Sequence, residues 1–558
     1  MSASGTSRGI VAVVVALFAI VWFANLDARK LIRPDEGRYA EIAREMAVSG
    51  DWVTPRLNGL KYFEKPPLQY WITAAAYRLL GKDEWTARLW PAAAGALCAL
   101  VVWRTGRRIL GPEAGAAAGL VYAGMFWPVA NAHMNTLDMG LAFWLTLGLG
   151  AFLHAQRDEV STGYRRAAMA IAWAACALAI LTKGLIGLVL PGGAIALYVL
   201  ATRDWRLVQR IHPWLGVIIV FAVTAPWFVA VSLANPEFPE FFFVREHFQR
   251  FATTVHRRYE PWWYFGPLLL AGTLPWTVLV LQAAATAWRQ DSYARRFRPR
   301  LFLLLWIAFV VAFFSASKSK LPSYILPVFG PLAWLAGDRI ARLRSARPLA
   351  WHAALLVPLA VAAGVLAARI DRHANPRTPV ALYEAFQPWI FAAAGAVLFA
   401  ALLAIRYARR ERKLAAVLTL SAGSLAGWQL AITGHDALAP SFSAAAFADQ
   451  VRGRIRPECP LYSVASYDQT LPFYLDRTVT LVAFEDEMEF GLSREPHLGV
   501  PSIDAFRALW DAAACGYAFM EPETHARLQA EGMQMTEMAR DTRRVLVRHP
   551  RMEDAPLP

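Results

Sequence analysis

The chain has 558 residues, 57% of them hydrophobic and only 18% charged, with 22 Trp and a mean hydropathy of +0.33. A soluble protein carries nearer a quarter charged residues, so the composition points to an integral membrane protein. The net charge of +15 suits nucleic acid, anionic lipid or basic cytoplasmic loops, which position along the chain must separate.

The first apolar run, "GIVAVVVALFAIVWFANL", is longer than a signal-peptide core and shows no small-residue cleavage site, so it reads as an uncleaved first span. Bilayer-length apolar runs recur as far as Gly434, roughly thirteen in all. Their centres lie near Val15, Leu97, Tyr122, Leu145, Ala174, Gly193, Ile219, Leu270, Val310, Leu332, Ala360, Ala396 and Ser421. Cys98 and Cys176 sit inside such runs and read as packing residues. Alternate loops carry "RTGRR", "QRDEVSTGYRR", "TRDWRLVQR", "WRQDSYARRFRPR", "DRIARLRSAR" and "RYARRERK". All six share one side if the N-terminus is cytoplasmic, and the tail then faces outward. Topology accounts for most of the charge, and nucleic acid is not needed as a partner.

Three outward loops stand out: residues 27–86, residues 234–262 and the short "SASKSKLPSYILP". After Gly434, period-two stretches ("TVTLVAF", "RRVLVRH") alternate with helical ones ("FADQVRGRI", "IDAFRALWDAAA"). The expected architecture is a membrane all-α domain over 1–433, followed by a small outward α/β domain over 434–558. Cys459 and Cys515 lie in that domain, where an oxidising compartment would permit a disulfide; their spacing does not decide it.

In the first loop, "RPDEGRYAEIAREM" is helical by pattern. Tyr39, Ile42, Ala43 and Met46 share one face, with Arg38, Glu41, Arg44 and Glu45 on the rest. Such a helix can lie on the outer interface with its apolar face down. Asp35 follows Pro34 and reads as an N-cap, a role compatible with chemistry. Glu36 reads as a first-turn residue favoured by the helix dipole. In "NGLKYFEKPPLQYW", Pro66 and Pro67 suit the start of a second, short helix, "LQYWITAAAYRLL". Glu64 and Lys65 could be an ordinary exposed pair, but the outward loops are otherwise sparing with Lys.

Other outward or buried cations break the same trend. Lys183 in "LTKGLIG" lies within apolar sequence, where it needs a partner or a water-filled cavity. Lys318, Lys320, Arg245, Arg250, Arg257 and Arg258 face outward, either snorkelling to headgroups or lining a phosphate cavity. His247 and His256 could ligate a metal with Glu64 or Glu246, but no tight ligand spacing is present, and a hydrogen-bonded interfacial histidine accounts for either.

An acidic pair in the first outward loop, many spans and an outward C-terminal domain resemble the GT-C glycosyltransferases, which use polyprenyl-phosphate sugars. More closely, "DEGRYAEIAREM", "SGDWVTPRLNGLKYFEKPPLQYW", "LTKGLIG", "EHFQRF", "SKSKLPSYILP" and "YDQTLPFYLDRTVTLV" look like the bacterial lipid A aminoarabinose transferases. The acidic pair is shared across the class; the run from Asp35 to Trp71 with "SKSKLPSYILP" is the specific part. The resemblance implies a GT-C fold in the bacterial inner membrane, moving 4-amino-4-deoxy-L-arabinose from undecaprenyl phosphate to a lipid A phosphate at the periplasmic face. That reaction would lower lipid A's negative charge and give polymyxin resistance. Carried over residue by residue, Asp35 is the acidic residue of the first loop, and Arg38, Tyr39, Tyr62 and Lys65 line its cavity, with Asp35 and Lys65 placed at the chemistry. Lys183, Arg250, Lys318 and Tyr324 fit the phosphate-binding part. Glu64 with His247 or His256 could match a divalent metal site, such as zinc; the choice of histidine stays open.

Two other readings remain at this stage. A sister enzyme could use another sugar or a protein hydroxyl acceptor, as O-mannosyltransferases do. A transporter for a lipid or anionic solute would also use a buried Lys183, but transporters show pseudo-repeats and midplane sites, whereas these charges cluster on one side. For a phosphate acceptor, already anionic, Asp35 is expected to position substrate and stabilise developing positive charge; a hydroxyl acceptor would instead need it as a base.

Overall fold

A computed structural model describes residues 3–249, 260–289 and 296–552. Each of the thirteen apolar centres falls inside a helix. Among the described residues, eight helices are long and apolar enough to cross a membrane, from Glu84–Ile109 to Lys413–Phe442. Phe265–Gly272 and Thr277–Ala287 form a further pair bent by 113°, and Ala12–Phe23 and Ile186–Thr202 are shorter apolar helices. The centres near Tyr122 and Leu332 lie in the 13-residue helices Pro112–Gly124 and Phe329–Ala341. These two pack against each other through small residues: a Cβ on Gly337 would stand 2.4 Å from the carbonyl oxygen of Ala114, the close approach typical of membrane helix pairs. By contrast, Pro213–Ala234 leaves Trp214, Ile218, Phe221 and Leu233 exposed, an apolar surface that hydrocarbon rather than water would cover. The chain is a polytopic membrane protein.

Contacts between loops sort the two sides. Arg296 pairs with Asp204 at 2.9 Å, Arg210 with Asp158 at 3.8 Å and Lys413 with Glu113 at 2.8 Å, so the arginine-rich loops gather at one end. At the other end, Lys61 of the first loop pairs with Glu237 at 2.7 Å and Arg245 pairs with Glu489 of the tail at 2.8 Å. These contacts group the arginine-rich loops as their charge does.

The first loop holds an antiparallel pair, β1 (Arg56–Leu57) and β2 (Leu60–Lys61), and the tail builds a six-stranded sheet from β3 (Leu461–Val464), β4 (Thr480–Val482), β5 (Gly499–Val500), β6 (Tyr517–Met520), β7 (Thr536–Arg540) and β8 (Val545–Arg548), in the order β5-β4-β3-β6-β8-β7. The neighbours among β3 to β6 pair parallel, and β8 and β7 add an antiparallel edge. Side chains alternate across the sheet. Val464, Ala518, Val545 and Val547 pack under Phe506, Trp510 and Leu528 of the tail's own helices. Leu461, Phe519 and Leu546 face the other way, into a core shared with Ile42, Met46, Leu57 and Tyr77 of the first loop. A disulfide joins Cys459 to Cys515, immediately before the adjacent strands β3 and β6. Cys98 and Cys176 are buried and free.

This shared core corrects one expectation. The helix Asp35–Ser49 does not lie on an interface with its charged face in water: Glu36, Arg38, Glu41 and Arg44 are buried as well as Tyr39, Ile42 and Met46. The C-terminal domain meets both faces of the helix: Glu487 pairs with Arg38, and Ile42 and Met46 belong to the shared core.

Candidate active site

Asp35–Ser49, the site helix, starts with two acids in its first turn, which the helix dipole favours. It ends at Gly50, whose φ of 75° is the left-handed conformation glycine accepts most readily. Asp35 is the first helical residue, and no side chain caps the helix, so the N-cap reading is not what the structure shows.

Glu36 does more than favour the dipole. Its fully buried carboxylate accepts from Arg29 at 2.7 Å, from Arg88 at 2.7 and 3.1 Å, and from the backbone N–H groups of Asn135 at 3.0 Å and Ile32 at 3.2 Å. Burial alone would raise its pKa, but Arg29 and Arg88 outweigh that and hold it at about 2. The first turn is thereby fixed to the start of the helix Glu84–Ile109, while the neighbouring Asp35 side chain stays 41% exposed.

Asp35 Oδ1 accepts from Arg38 at 3.0 Å. The other side of the Arg38 guanidinium meets Glu487 of the C-terminal domain at 2.5 Å, and Gln469 donates to the second Glu487 oxygen at 2.6 Å. Tyr39 and Tyr70 lie with ring centroids 6.1 Å apart, and Arg38 stands 5.9 Å from the Tyr39 ring centre. Burial pushes the phenols of Tyr39, Tyr62 and Tyr70 upward, so they remain neutral donors. Among the described residues, the Tyr62 and Tyr70 hydroxyls have no hydrogen-bond partner.

A second group holds the lysines. Lys65 Nζ reaches the Glu64 carbonyl at 2.7 Å, the Glu64 carboxylate at 3.7 Å and Glu246 at 3.4 Å. Lys183 pairs with Asp138 at 2.5 Å and lies 4.9 Å from the ring centre of Tyr324, which brings two expected phosphate residues together. Asp138 was not anticipated; its signal was available, because an acid opening the apolar run "LDMGLAFWLTLGLG" needs a partner. It lies three residues beyond Asn135, whose backbone binds Glu36, so the two groups share a scaffold. In the third loop Lys318 is exposed and Lys320 is buried, donating to the carbonyls of Glu260 at 2.8 Å and Ser317 at 2.6 Å. Arg250 and His256 lie outside the described residues, as does the His247 side chain.

Among the described residues, no group of three or more His, Cys, Asp or Glu side chains forms a metal cluster. The two oxygen donors expected for a metal, Glu64 and Glu246, both lie near the Lys65 ammonium, at 3.7 and 3.4 Å.

Residues 64–229 match the dolichyl-phosphate-mannose-protein mannosyltransferase family model, and residues 447–549 match the aminoarabinose transferase C-terminal domain. The archaeal oligosaccharyltransferase AglB from Archaeoglobus fulgidus, solved with an inhibitory peptide and a dolichol-phosphate, shares the fold at 14% identity and a TM-score of 0.50, over 92% of this chain and 69% of that one. Fold and site define a polytopic glycosyltransferase of the GT-C class. ArnT from Cupriavidus metallidurans, in a crystal structure bound to undecaprenyl phosphate, is 40% identical with a TM-score of 0.93, covering 98% of this chain and 99% of that one. An undecaprenyl phosphate-alpha-4-amino-4-deoxy-L-arabinose arabinosyl transferase from Pseudomonas aeruginosa is 33% identical over 517 residues, 89% of this chain and 90% of its own length. The chain belongs to the aminoarabinose transferase family.

Proposed function

We propose that this chain moves 4-amino-4-deoxy-L-arabinose from undecaprenyl phosphate to a phosphate of lipid A, at the periplasmic face of the bacterial inner membrane. The observation that carries the reading is the half-open Asp35, held beside Arg38, on the same scaffold as the Lys183–Asp138 pair under Tyr324. An acid for the sugar and cations for a phosphate stand on one side of the membrane domain. With the arginine-rich ends cytoplasmic, that side is periplasmic.

In this reaction an oxygen of the acceptor phosphate attacks the anomeric carbon, the bond from that carbon to the polyprenyl phosphate oxygen breaks, and undecaprenyl phosphate leaves with the electron pair. The sugar passes through an oxocarbenium-like state. Asp35 stabilises its positive charge and orients the ring; a phosphate acceptor has no proton that must be removed. Lys65 and Lys183 offset the charge gathering on the leaving phosphate, and the neutral phenols of Tyr39 and Tyr62 supply directional hydrogen bonds. Modification replaces anionic character on lipid A with an amine, which weakens binding of cationic peptides such as polymyxin. Mass spectrometry of lipid A from otherwise identical cells with and without this chain tests the reading. An added aminopentose mass only where the chain is present supports it; identical lipid A spectra would refute it.

A further inference from the structure

Arg38 is bracketed by two acids from opposite ends of the chain. Asp35 lies one turn away on the site helix at 3.0 Å, and Glu487 comes from the C-terminal domain at 2.5 Å. One guanidinium therefore faces two carboxylates. The Glu487 side chain is only 9% exposed, and burial costs an ionised carboxylate dearly unless cations or donors surround it. The Gln469 amide donates to one Glu487 oxygen, while the other lies 2.5 Å from Arg38 without accepting a hydrogen bond among the described residues; a carboxylate offers about four acceptor positions.

Other buried groups around Arg38 lack partners. Among the described residues, Arg38 Nε and the hydroxyls of Tyr62 and Tyr70 make no hydrogen bond, although Tyr62 is 3% exposed and Tyr70 is fully buried. Buried polar atoms in native proteins are almost always paired, so these donors mark a place for a ligand's acceptor oxygens, and Glu487 Oε2, which also makes no hydrogen bond among the described residues, marks a place for a cationic donor.

On the transferase reading above, the donor sugar carries one cationic group, its 4-amino substituent. We infer that Glu487 is a specificity-determining residue: with Asp35 it receives the sugar's ammonium beside Arg38, and the Tyr62 and Tyr70 hydroxyls receive the ring oxygens. The C-terminal domain is then part of the sugar pocket and not only a cover. Gln469 is the positioning residue, since its amide orients the Glu487 carboxylate from within the same domain. Arg38 keeps the two acids from repelling each other while the pocket is empty.

The test uses the purified full chain, lipid A and two donors on undecaprenyl phosphate: the 4-amino pentose and the same pentose with a neutral hydroxyl at that carbon. The wild type should prefer the amino donor by at least about tenfold in kcat/KM, as expected where a site's charged group would be left unpaired. Glu487→Gln should remove most of that preference through KM for the amino donor, changing the neutral donor by less than about twofold. Gln469→Ala, which leaves every charge in place, should lower the preference by a smaller factor, and it serves if the glutamine variant does not fold. Equal use of both donors by the wild type would overturn the inference. So would equal losses on both donors in either variant, the signature of a purely structural clamp on Arg38. No transfer by the wild type from either donor would overturn the transferase reading itself.

Discussion

Gly37 of the site helix presses directly on Gln469 of the C-terminal domain: a Cβ at Gly37 would stand 2.7 Å from both the carbonyl carbon and the carbonyl oxygen of Gln469, and 2.7 Å from the Thr470 methyl. Backbone meets backbone there, so neither partner can swing aside as a flexible side chain would. The contact holds the loop carrying Gln469 over the first turn of the site helix, between Asp35 and Arg38.

Gly37→Ala should therefore separate the two elements. Overpacking of this kind destabilises by about 1–3 kcal/mol, and the displaced Gln469 loop should lower transfer activity more than the melting temperature suggests. Melting of the purified protein in detergent, measured beside transferase activity, checks this. Wild-type values in both would mean that the contact relaxes harmlessly.

Lys183 and Asp138 should separate stability from chemistry. Removing either partner of a buried pair leaves an uncompensated charge, at a cost of about 3–5 kcal/mol, whereas removing both is milder. Lys183→Met combined with Asp138→Leu should recover much of the stability lost by either single change but none of the transfer activity, because the phosphate loses its cation. Expression level, melting temperature and turnover across the double-mutant cycle provide the measurement.

Glu45 gives a pH dependence with a definite sign. It lies one helical turn beyond Glu41, and one of its oxygens accepts from the Gly59 N–H at 2.9 Å. Burial, then the neighbouring Glu41 carboxylate, raises its pKa from 4.5 to about 8. A raised folded-state pKa means that the native chain holds a proton the unfolded chain has lost. The stabilisation is full below about pH 4.5 and disappears as pH rises through about 8. Melting temperature should fall over that window by a few degrees, and Glu45→Gln should flatten the fall. An unchanged slope in the variant would assign the effect elsewhere.

The Cys459–Cys515 bridge closes a loop of 56 residues in sequence and ties the entries of β3 and β6. Crosslinks of such loops typically contribute about 2–4 kcal/mol. Replacing both cysteines with serine, or reducing the protein, should lower the melting temperature of the C-terminal domain and loosen its hold on the site helix. Peptide mass mapping under non-reducing conditions checks the bridge itself.

The pattern of apolar runs was enough to place helices at all thirteen centres, but among the described residues only eight of these helices, or nine spans with the bent pair, are long and apolar enough to cross a bilayer. The helix "LQYWITAAAYRLL" appears as Leu68–Leu80, with its paired prolines at the start. The burial of Glu36 was not legible: its partners Arg29 and Arg88 lie 7 and 52 residues away, and nothing in a helical pattern points to them. The charged face of the site helix misled for a related reason. Its cover arrives from Gln469 and Glu487, more than four hundred residues later, and only tertiary folding brings them there. Of the two lysines in "SKSKLPSY", which the residues alone do not separate, the resemblance points to Lys318; the fold leaves Lys318 exposed and buries Lys320.

The chemistry at Asp35 is open to one direct measurement. Purified chain in detergent, without any membrane gradient, is given undecaprenyl phosphate-linked aminoarabinose and lipid A, and the product is followed by mass. The wild type should form aminopentose-modified lipid A, and Asp35→Asn, nearly the same shape without the charge, should be slower by about a hundredfold or more. Turnover of Asp35→Asn near the wild-type rate would contradict the role assigned to Asp35.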